Sequence, residues 1–417
     1  MGSPAGAGQP IVRALDEADL ALTVDPAVLR PEQEHLAALE KEPTMRILVA
    51  PDKFKGSLTA AEVAHHIGRG LRQRGVEYRG LPLADGGDGS VAAAVATGFT
   101  SHEIDVVDAI GRPHRATVAV HDNGSAVVEV ANTCGLHTLP HGTRAPLTAA
   151  STGLGAAIRA VYELGAHRIV VALGGSASTD GGVGMLDALG VRFRDEAGEP
   201  VSAGGGRLHE IHAIDTSALL DLSGVEVVVA TDVQNPLTGP DGAAAVYGPQ
   251  KGANPDQIRA LDSGLAHLVD RFDAAGHAAA GELATTPGAG AAGGLGFASL
   301  LLGGRIVSGA DYFLDLLGFD TQLDGCDVVI TGEGRMDDQT LQGKLPAAVA
   351  RRSGHRPVIA VVGRRDVSAH AQRAMGITAI HALSDRTVDD PATDPDLSRR
   401  LLEQLGATIL LPQTRAT

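Results

Sequence analysis

Residues 174–182 read GGSASTDGG, four glycines around three hydroxyls and one acid. The stretch follows an apolar run, RIVVAL, and precedes VGMLDALG, which has the pattern of a helix. Glycines let a strand-to-helix turn bring its N–H groups close to an anion, and the start of a helix adds positive potential. Gly174, Gly175, Ser176, Gly181 and Gly182 are therefore candidate phosphate-binding positions, with the Ser178 hydroxyl a candidate substrate donor. Asp180 would repel a bare phosphate. It makes chemical sense beside a divalent cation, or as the acceptor of a proton from an attacking hydroxyl. A tight turn with no ligand is the plainer alternative.

Three further stretches carry similar chemistry. APDKFKGSLTAAE places Lys53, Lys55 and Ser57 ahead of a capping-box signature, TAAE. Only five of the 34 basic residues are lysines, and two of the five lie here. A compact ammonium suits a single phosphate or carboxylate oxygen where a planar guanidinium does not. PGAGAAGGLG holds a formal GxGxxG at Gly288, Gly290 and Gly293, followed by Gly294. No convincing strand precedes it, so a dinucleotide fingerprint is not supported, but a glycine-rich loop for nucleotide or substrate is. TGEGRMDDQTLQGK combines Glu333, Asp337 and Asp338 with Arg335 and Lys344. Its acids could hold Mg²⁺ and its arginine could meet a carboxylate or phosphate; a capped helix start with surface charges is the alternative.

The elements that must position these residues are apolar β-type runs alternating with amphipathic stretches, the pattern of an α/β fold. RILVAPD ends at Asp52, RGLPLAD at Asp85, VEVVVATD at Asp232 and DVVITGE at Glu333; RIVVALGG leads to Asp180, and PVIAVVG precedes two arginines. Any one acid could cap the following helix. Five together predict a glycine-lined acidic cleft at the carboxyl ends of the strands, where open α/β sheets bind ligands. Residues 103–136 alternate around DNG, a hairpin signal, and so predict antiparallel structure in mid-chain. The expected organisation is a partly helical or flexible extension over 1–44, a domain made of 45–97 and 286–417, and an inserted domain over 98–285.

A net charge of −16 argues against nucleic acid or an anionic membrane as partner. No apolar run approaches the ~20 residues of a membrane span, and no secretory pattern opens the chain. Cys134 and Cys326 are far apart with no zinc-type spacing, which suits a reducing, cytoplasmic setting.

APDKFKGSLTA, LPLADGGDG, LGGSASTDGGVGMLDALG, DVQNPLTGPDGAAAVYGPQKGA, PGAGAAGGLGF and DVVITGEGRMDDQTLQGK occur in this order between Met45 and about residue 385. Together they resemble the bacterial glycerate kinase family, apart from Ser178-Thr179 where the family usually has Thr-Asn. The resemblance implies ATP-dependent phosphorylation of D-glycerate with Mg²⁺. It also implies two α/β domains, one Rossmann-like with a mostly parallel sheet and one inserted and mixed, with the site between them. On that reading the expected catalytic residues are Asp180 as hydroxyl-orienting base, Asp85 as its alternative, and Lys55. Lys53, Ser57, Arg335 and Ser178 are expected at the substrate, and Glu333, Asp337 and Asp232 at the metal. Gly174–Ser176 and Gly288–Gly294 are expected to hold phosphates. The resemblance leans to 2-phosphoglycerate as product, with the 3-phosphate as alternative, and to a monomer or homodimer. A nicotinamide-dependent dehydrogenase and a non-catalytic sugar-acid sensor are the competing readings; the first wants a strand before PGAGAAGG and the second a DNA-binding module, and neither is evident.

Overall fold

The computed structural model describes residues 45–411 apart from 339 and 341–343. The extension over 1–44 and part of the QTLQG stretch thus lie outside the described residues. The chain opens one sheet with β1 (Arg46–Pro51) and β2 (Glu77–Gly80). It builds a second with β3 (Thr100–Val107), β4 (Pro113–Val120), β5 (Ser125–Glu129) and β6 (Arg168–Ala172). A side hairpin, β7 (Arg192–Arg194) and β8 (Ala213–Asp215), precedes β9 (Glu226–Ala230) and β10 (Arg305–Val307) of that second sheet. The chain then returns to the first sheet with β11 (Val328–Gly332), leaves it for β12 (Arg335–Asp337), and adds β13 (Val358–Val362). A second outlying strand, β14 (Arg364–Asp366), pairs with β12, and β15 (Ala379–Ala382) completes the first sheet.

The first sheet is wholly parallel, in the order β15-β13-β11-β1-β2. The second runs β10-β9-β6-β5-β4-β3, parallel from β10 to β5 and antiparallel from β5 to β3. The DNG hairpin is the β4–β5 turn, where the His121 N–H donates to the Ser125 carbonyl at 2.8 Å. RGLPLAD is strand only as far as Gly80. Pro82 lacks an N–H, so the regular ladder stops there; the Leu81 and Leu83 N–H groups still donate to Val49 and Pro51 at 2.8 and 2.9 Å. Strand β10 pairs with β9, so the chain from 286 to 307 runs with the second sheet and not, as expected, with the first.

Strand side chains alternate between faces, and here each face meets a different apolar layer. Ile47 and Val49 of β1 face a layer shared with the helices Ala60–Arg72 and Pro395–Thr408, while Leu48 and Ala50 face the other way. Ile169 and Val171 of β6 face a third layer, while Val170 and Ala172 join Leu48 and Ala50. One middle layer is therefore common to both sheets. Each fully buried branched side chain in it contributes on the order of 1.5–3 kcal/mol relative to exposure. Helix Ala60–Arg72 begins with the expected capping box: the Glu62 N–H donates to Thr59 Oγ1 at 3.2 Å, and the Thr59 N–H donates to Glu62 Oε2 at 2.9 Å. Among the described residues no helix is long and apolar enough to cross a membrane.

The glycine-rich stretch over 287–296 packs into the body of the second sheet. Gly293 has φ +76°, and a Cβ there would stand 2.1 Å from the Ser178 carbonyl oxygen. The Gly181 N–H donates to the Gly293 carbonyl at 3.0 Å, so the two glycine-rich loops lie backbone against backbone. Gly293→Ala combines a strained φ with a clash against fixed backbone, and is expected to cost about 2 kcal/mol or more of unfolding free energy. Urea denaturation of the variant should show a lower midpoint with little change in slope; an unchanged midpoint would contradict this packing.

Candidate active site

Parallel strands of both sheets end on one groove of about 1080 Å³. Asp52 and Lys53 follow β1, Glu333 and Gly334 follow β11, and Gly363 follows β13; Gly174 and Gly175 enter from the loop after β6. Two glycine loops meet at its floor. A Cβ on Gly174 would lie 2.5 Å from the Gly87 Cα, and the Gly174 N–H donates to the Gly86 carbonyl at 3.3 Å. Only bare backbone lets the DGGDG and GGSAS turns touch in this way.

The Lys53 ammonium lies 3.4 Å from Asp52 Oδ1 and 3.9 Å from Asp85 Oδ1. Desolvation works to lower the lysine's pKa, but Asp52, Asp85 and Asp88 together push it above its usual value. Burial pushes the Asp52 carboxyl up to about 7; Lys53 opposes this and Asp85 adds to it. Glu333 is likewise pushed up to about 7 by burial, although the Thr340 hydroxyl donates to its Oε1 at 2.8 Å. Asp85 is about a third exposed and holds the Gly87 N–H at 3.1 Å. The groove walls carry Lys55, Arg335, Arg364 and Arg365. Arg335 and Arg364 share one carboxylate, Asp366, at 2.9 and 3.2 Å, and Lys344 lies 3.6 Å from Asp337.

Two smaller cavities adjoin the groove. One, of about 330 Å³, shares Asp52, Lys53, Lys55 and Asp88 with it and is also lined by Ser57, whose hydroxyl oxygen is buried with no hydrogen-bond partner among the described residues. The other, of about 530 Å³, shares Asp85, Gly87, Gly174 and Lys344 and extends to Asp232 and Asn235. Asp232 accepts from the Ser308 hydroxyl at 3.1 Å and the Gly309 N–H at 2.9 Å, and burial pushes it up to about 6.

Several expected site residues stand elsewhere. Asp180 is fully buried, and one oxygen accepts from the Ser151 N–H, the Ser151 hydroxyl and the Gly184 N–H at 2.8, 2.8 and 3.1 Å, while the other takes the Gly182 N–H at 3.2 Å. Its carboxylate is committed to the helix Val183–Leu189 and to Ser151, and it does not line the groove. Ser178 is buried, and its carbonyl accepts from the buried Lys251 ammonium. The Ser176 hydroxyl is turned to the Ala292 carbonyl at 3.1 Å. Gly181, Gly182, Gly288, Gly290, Gly293 and Gly294 are packing positions: a Cβ on any of them would come within 3.0 Å of a neighbour. Of the GGSASTDGG stretch, Gly174 and Gly175 reach the groove.

No three acidic, histidine or cysteine side chains among the described residues are grouped as a ready-made metal cage. The groove does carry the carboxylates of Asp52, Asp85 and Glu333, donors of the kind Mg²⁺ takes when it arrives with a phosphate, needing one or two carboxylates and keeping several waters. An acid-floored, cation-walled groove at the carboxyl ends of parallel strands is the construction of an α/β enzyme that handles phosphorylated anions.

The chain belongs to the glycerate kinase family, whose model matches residues 47–410. It is 40% identical over 383 residues to a glycerate kinase of Bacillus subtilis, a match that covers 89% of this chain and 99% of that one. It is 38% identical over 347 residues to a glycerate 2-kinase of Escherichia coli, covering 81% of this chain and 90% of that one. The crystal structure of a candidate glycerate kinase 2 from Salmonella typhimurium LT2 superposes with a TM-score of 0.74 at 36% identity, over 87% of this chain and 96% of that one.

Glu129, at the end of β5, has no counterpart among the sequence expectations. It is buried, and its Oε2 accepts from the Val91 N–H at 3.1 Å, at the start of helix Ser90–Ala96. Burial pushes its pKa up to about 7, with Asp88 adding to the rise and Lys53 opposing it. A raised carboxyl pKa contributes stability that is full below the unfolded value and is lost as pH rises through the folded one. Glu129→Gln keeps an acceptor for Val91 and removes the titration. The unfolding free energy of the wild type should therefore fall relative to Glu129→Gln between pH 5 and pH 8. Parallel curves for the two proteins would contradict the burial of a titrating acid at this position.

Proposed function

We propose that the groove is where this glycerate kinase transfers the γ-phosphoryl group of ATP to the C2 hydroxyl of D-glycerate. The observation that carries the reading is Lys53, an ammonium held among acids at the point where the groove and the small cavity meet. The small cavity has room for a three-carbon acid, and Lys55 and the unpartnered Ser57 hydroxyl suit its carboxylate. The wide groove suits the triphosphate, with Arg335 on its wall and the Gly174–Gly175 turn at its floor.

Asp52 lines both cavities and is the base in this reading, a role the expectation gave to Asp180 or Asp85. The glycerate oxygen bonds to the γ-phosphorus as the bond from phosphorus to the ADP oxygen breaks, and Asp52 accepts the hydroxyl proton. A carboxyl whose pKa lies near neutrality is well matched to that transfer. Lys53 neutralises charge on the transferring group and orients Asp52. Glu333 and Asp85 would hold Mg²⁺, which supplies further charge neutralisation on the phosphate oxygens when bound. Asp232 and Asp337, the other expected ligands, have Ser308, Gly309 and Lys344 as neighbours and support the surrounding loops. A cytoplasmic enzyme is the setting that goes with this reading.

Transfer to the C2 hydroxyl yields 2-phosphoglycerate, which enolase consumes directly. Product formed from ATP and D-glycerate should therefore support enolase at once, with no phosphoglycerate mutase added. A signal that needs the mutase would assign the C3 hydroxyl, and no signal in either assay would remove the kinase reading.

A further inference from the structure

We propose that the segment from Ser384 to Ala392 is the seat of the nucleoside end of the phosphoryl donor, with Val388 as its main apolar contact. The inference rests on the reading that the donor lies in the groove, and adds which end points where.

Val388 is fully exposed, at 103% of its reference area, and it lines the groove. Isolated exposed aliphatics are common on protein surfaces. This one stands beside Pro391 and Ala392 in a groove otherwise lined almost entirely by charged residues and glycines. The segment is pinned in place. The Ser384 N–H donates to the Gly363 carbonyl at 3.1 Å, and the Ser398 hydroxyl to the Pro391 carbonyl at 2.6 Å. A Cβ on Gly56 would meet the Ala392 carbonyl oxygen at 3.5 Å, so the segment adjoins the turn that carries Lys55.

Charge decides the direction of the ligand. Val388 is followed by Asp389 and Asp390, both exposed, and the nearby Arg365 lies 3.4 Å from Asp385. Phosphate oxygens placed beside Asp389 and Asp390 would meet carboxylates, although Arg386 in the same segment is also exposed. Lys53, held between Asp52 and Asp85 where the groove meets the small cavity, is the cation that suits the γ-phosphate. A nucleoside triphosphate has one neutral end, whose flat base has apolar faces and whose ribose hydroxyls can donate to carboxylates. The small cavity cannot take that end, because it opens beside Lys53, where the γ-phosphate must lie, and a base there would leave no room for a triphosphate between them. The Val388 segment lines the groove and not the small cavity, matches the base and ribose in chemistry, and leaves Lys53 for the phosphates.

The test compares the full-length wild type with Val388→Ser and Arg335→Ala, using ATP as donor and inorganic tripolyphosphate as a competing anion without a base. Val388→Ser should raise the KM for ATP by about three-fold or more. It should leave the KM for glycerate and the inhibition constant of tripolyphosphate within about two-fold of wild type. An equal rise for ATP and tripolyphosphate would overturn the inference, since the effect would then lie on the phosphates. An unchanged KM for ATP in Val388→Ser, with a raised one in Arg335→Ala, would overturn it while leaving the donor in the groove. No change in either variant would overturn both the inference and the groove reading.

Discussion

Lys53 places an ammonium between the carboxylates of Asp52 and Asp85, 3.4 and 3.9 Å away, and the site is arranged around that contact. Burying charge is costly unless it is paired. Without the lysine, Asp52, Asp85, Asp88 and Glu333 would gather at one groove with no ammonium among them. Without the acids, burial alone would lower the lysine's pKa. The balance leaves Asp52 and Glu333 with pKa values pushed up to about 7 while Lys53 stays firmly charged. Such displaced titrations mark places where charge is about to be handled.

The fold supplies that contact by bringing two sheets to one edge. Lys53 follows the first strand of one sheet, and the turn at Gly174 follows a central strand of the other. The two sheets share a middle apolar layer, so their carboxyl edges are held in register by packing rather than by a single linker. Glycines at Gly87 and Gly174 then let the loops close without a side chain between them. A close-packed interior transmits small shifts, so residues remote from the groove, such as Asp180 under the helix Val183–Leu189, bear on it by holding the turn that reaches it.

The strands were legible because their side chains are buried on both faces, and such runs stand out as continuous apolar stretches. The acids at their ends were legible for the same reason, and four of the five, Asp52, Asp85, Asp232 and Glu333, line the groove or the cavities that adjoin it. A carboxylate capping a helix and one facing a ligand look alike in sequence; what turns Asp180 to the first is Ser151, 29 residues away in the chain. The glycines of 287–296 are ambiguous in sequence for a related reason. A turn that admits a phosphate and a turn that admits another backbone need the same residue, and here the partner is the Ser178–Gly181 backbone. Glu129 gave no signal, since its neighbours Val91 and Asp88 meet it only when β5 packs against the start of helix Ser90–Ala96, well before it in the chain. Strand β10 also escaped, being three residues long and paired to a strand some 75 positions earlier.

If Lys53 and Asp52 act as one unit, their effects on turnover must not be independent. A double-mutant cycle on kcat with Lys53→Met, Asp52→Asn and the combined variant tests this directly, with each protein first shown to be folded. Residues that act together give non-additive losses, so the combined variant should be about as slow as the slower single variant. Losses that multiply would show that the two side chains work separately, and would contradict a site built on their contact.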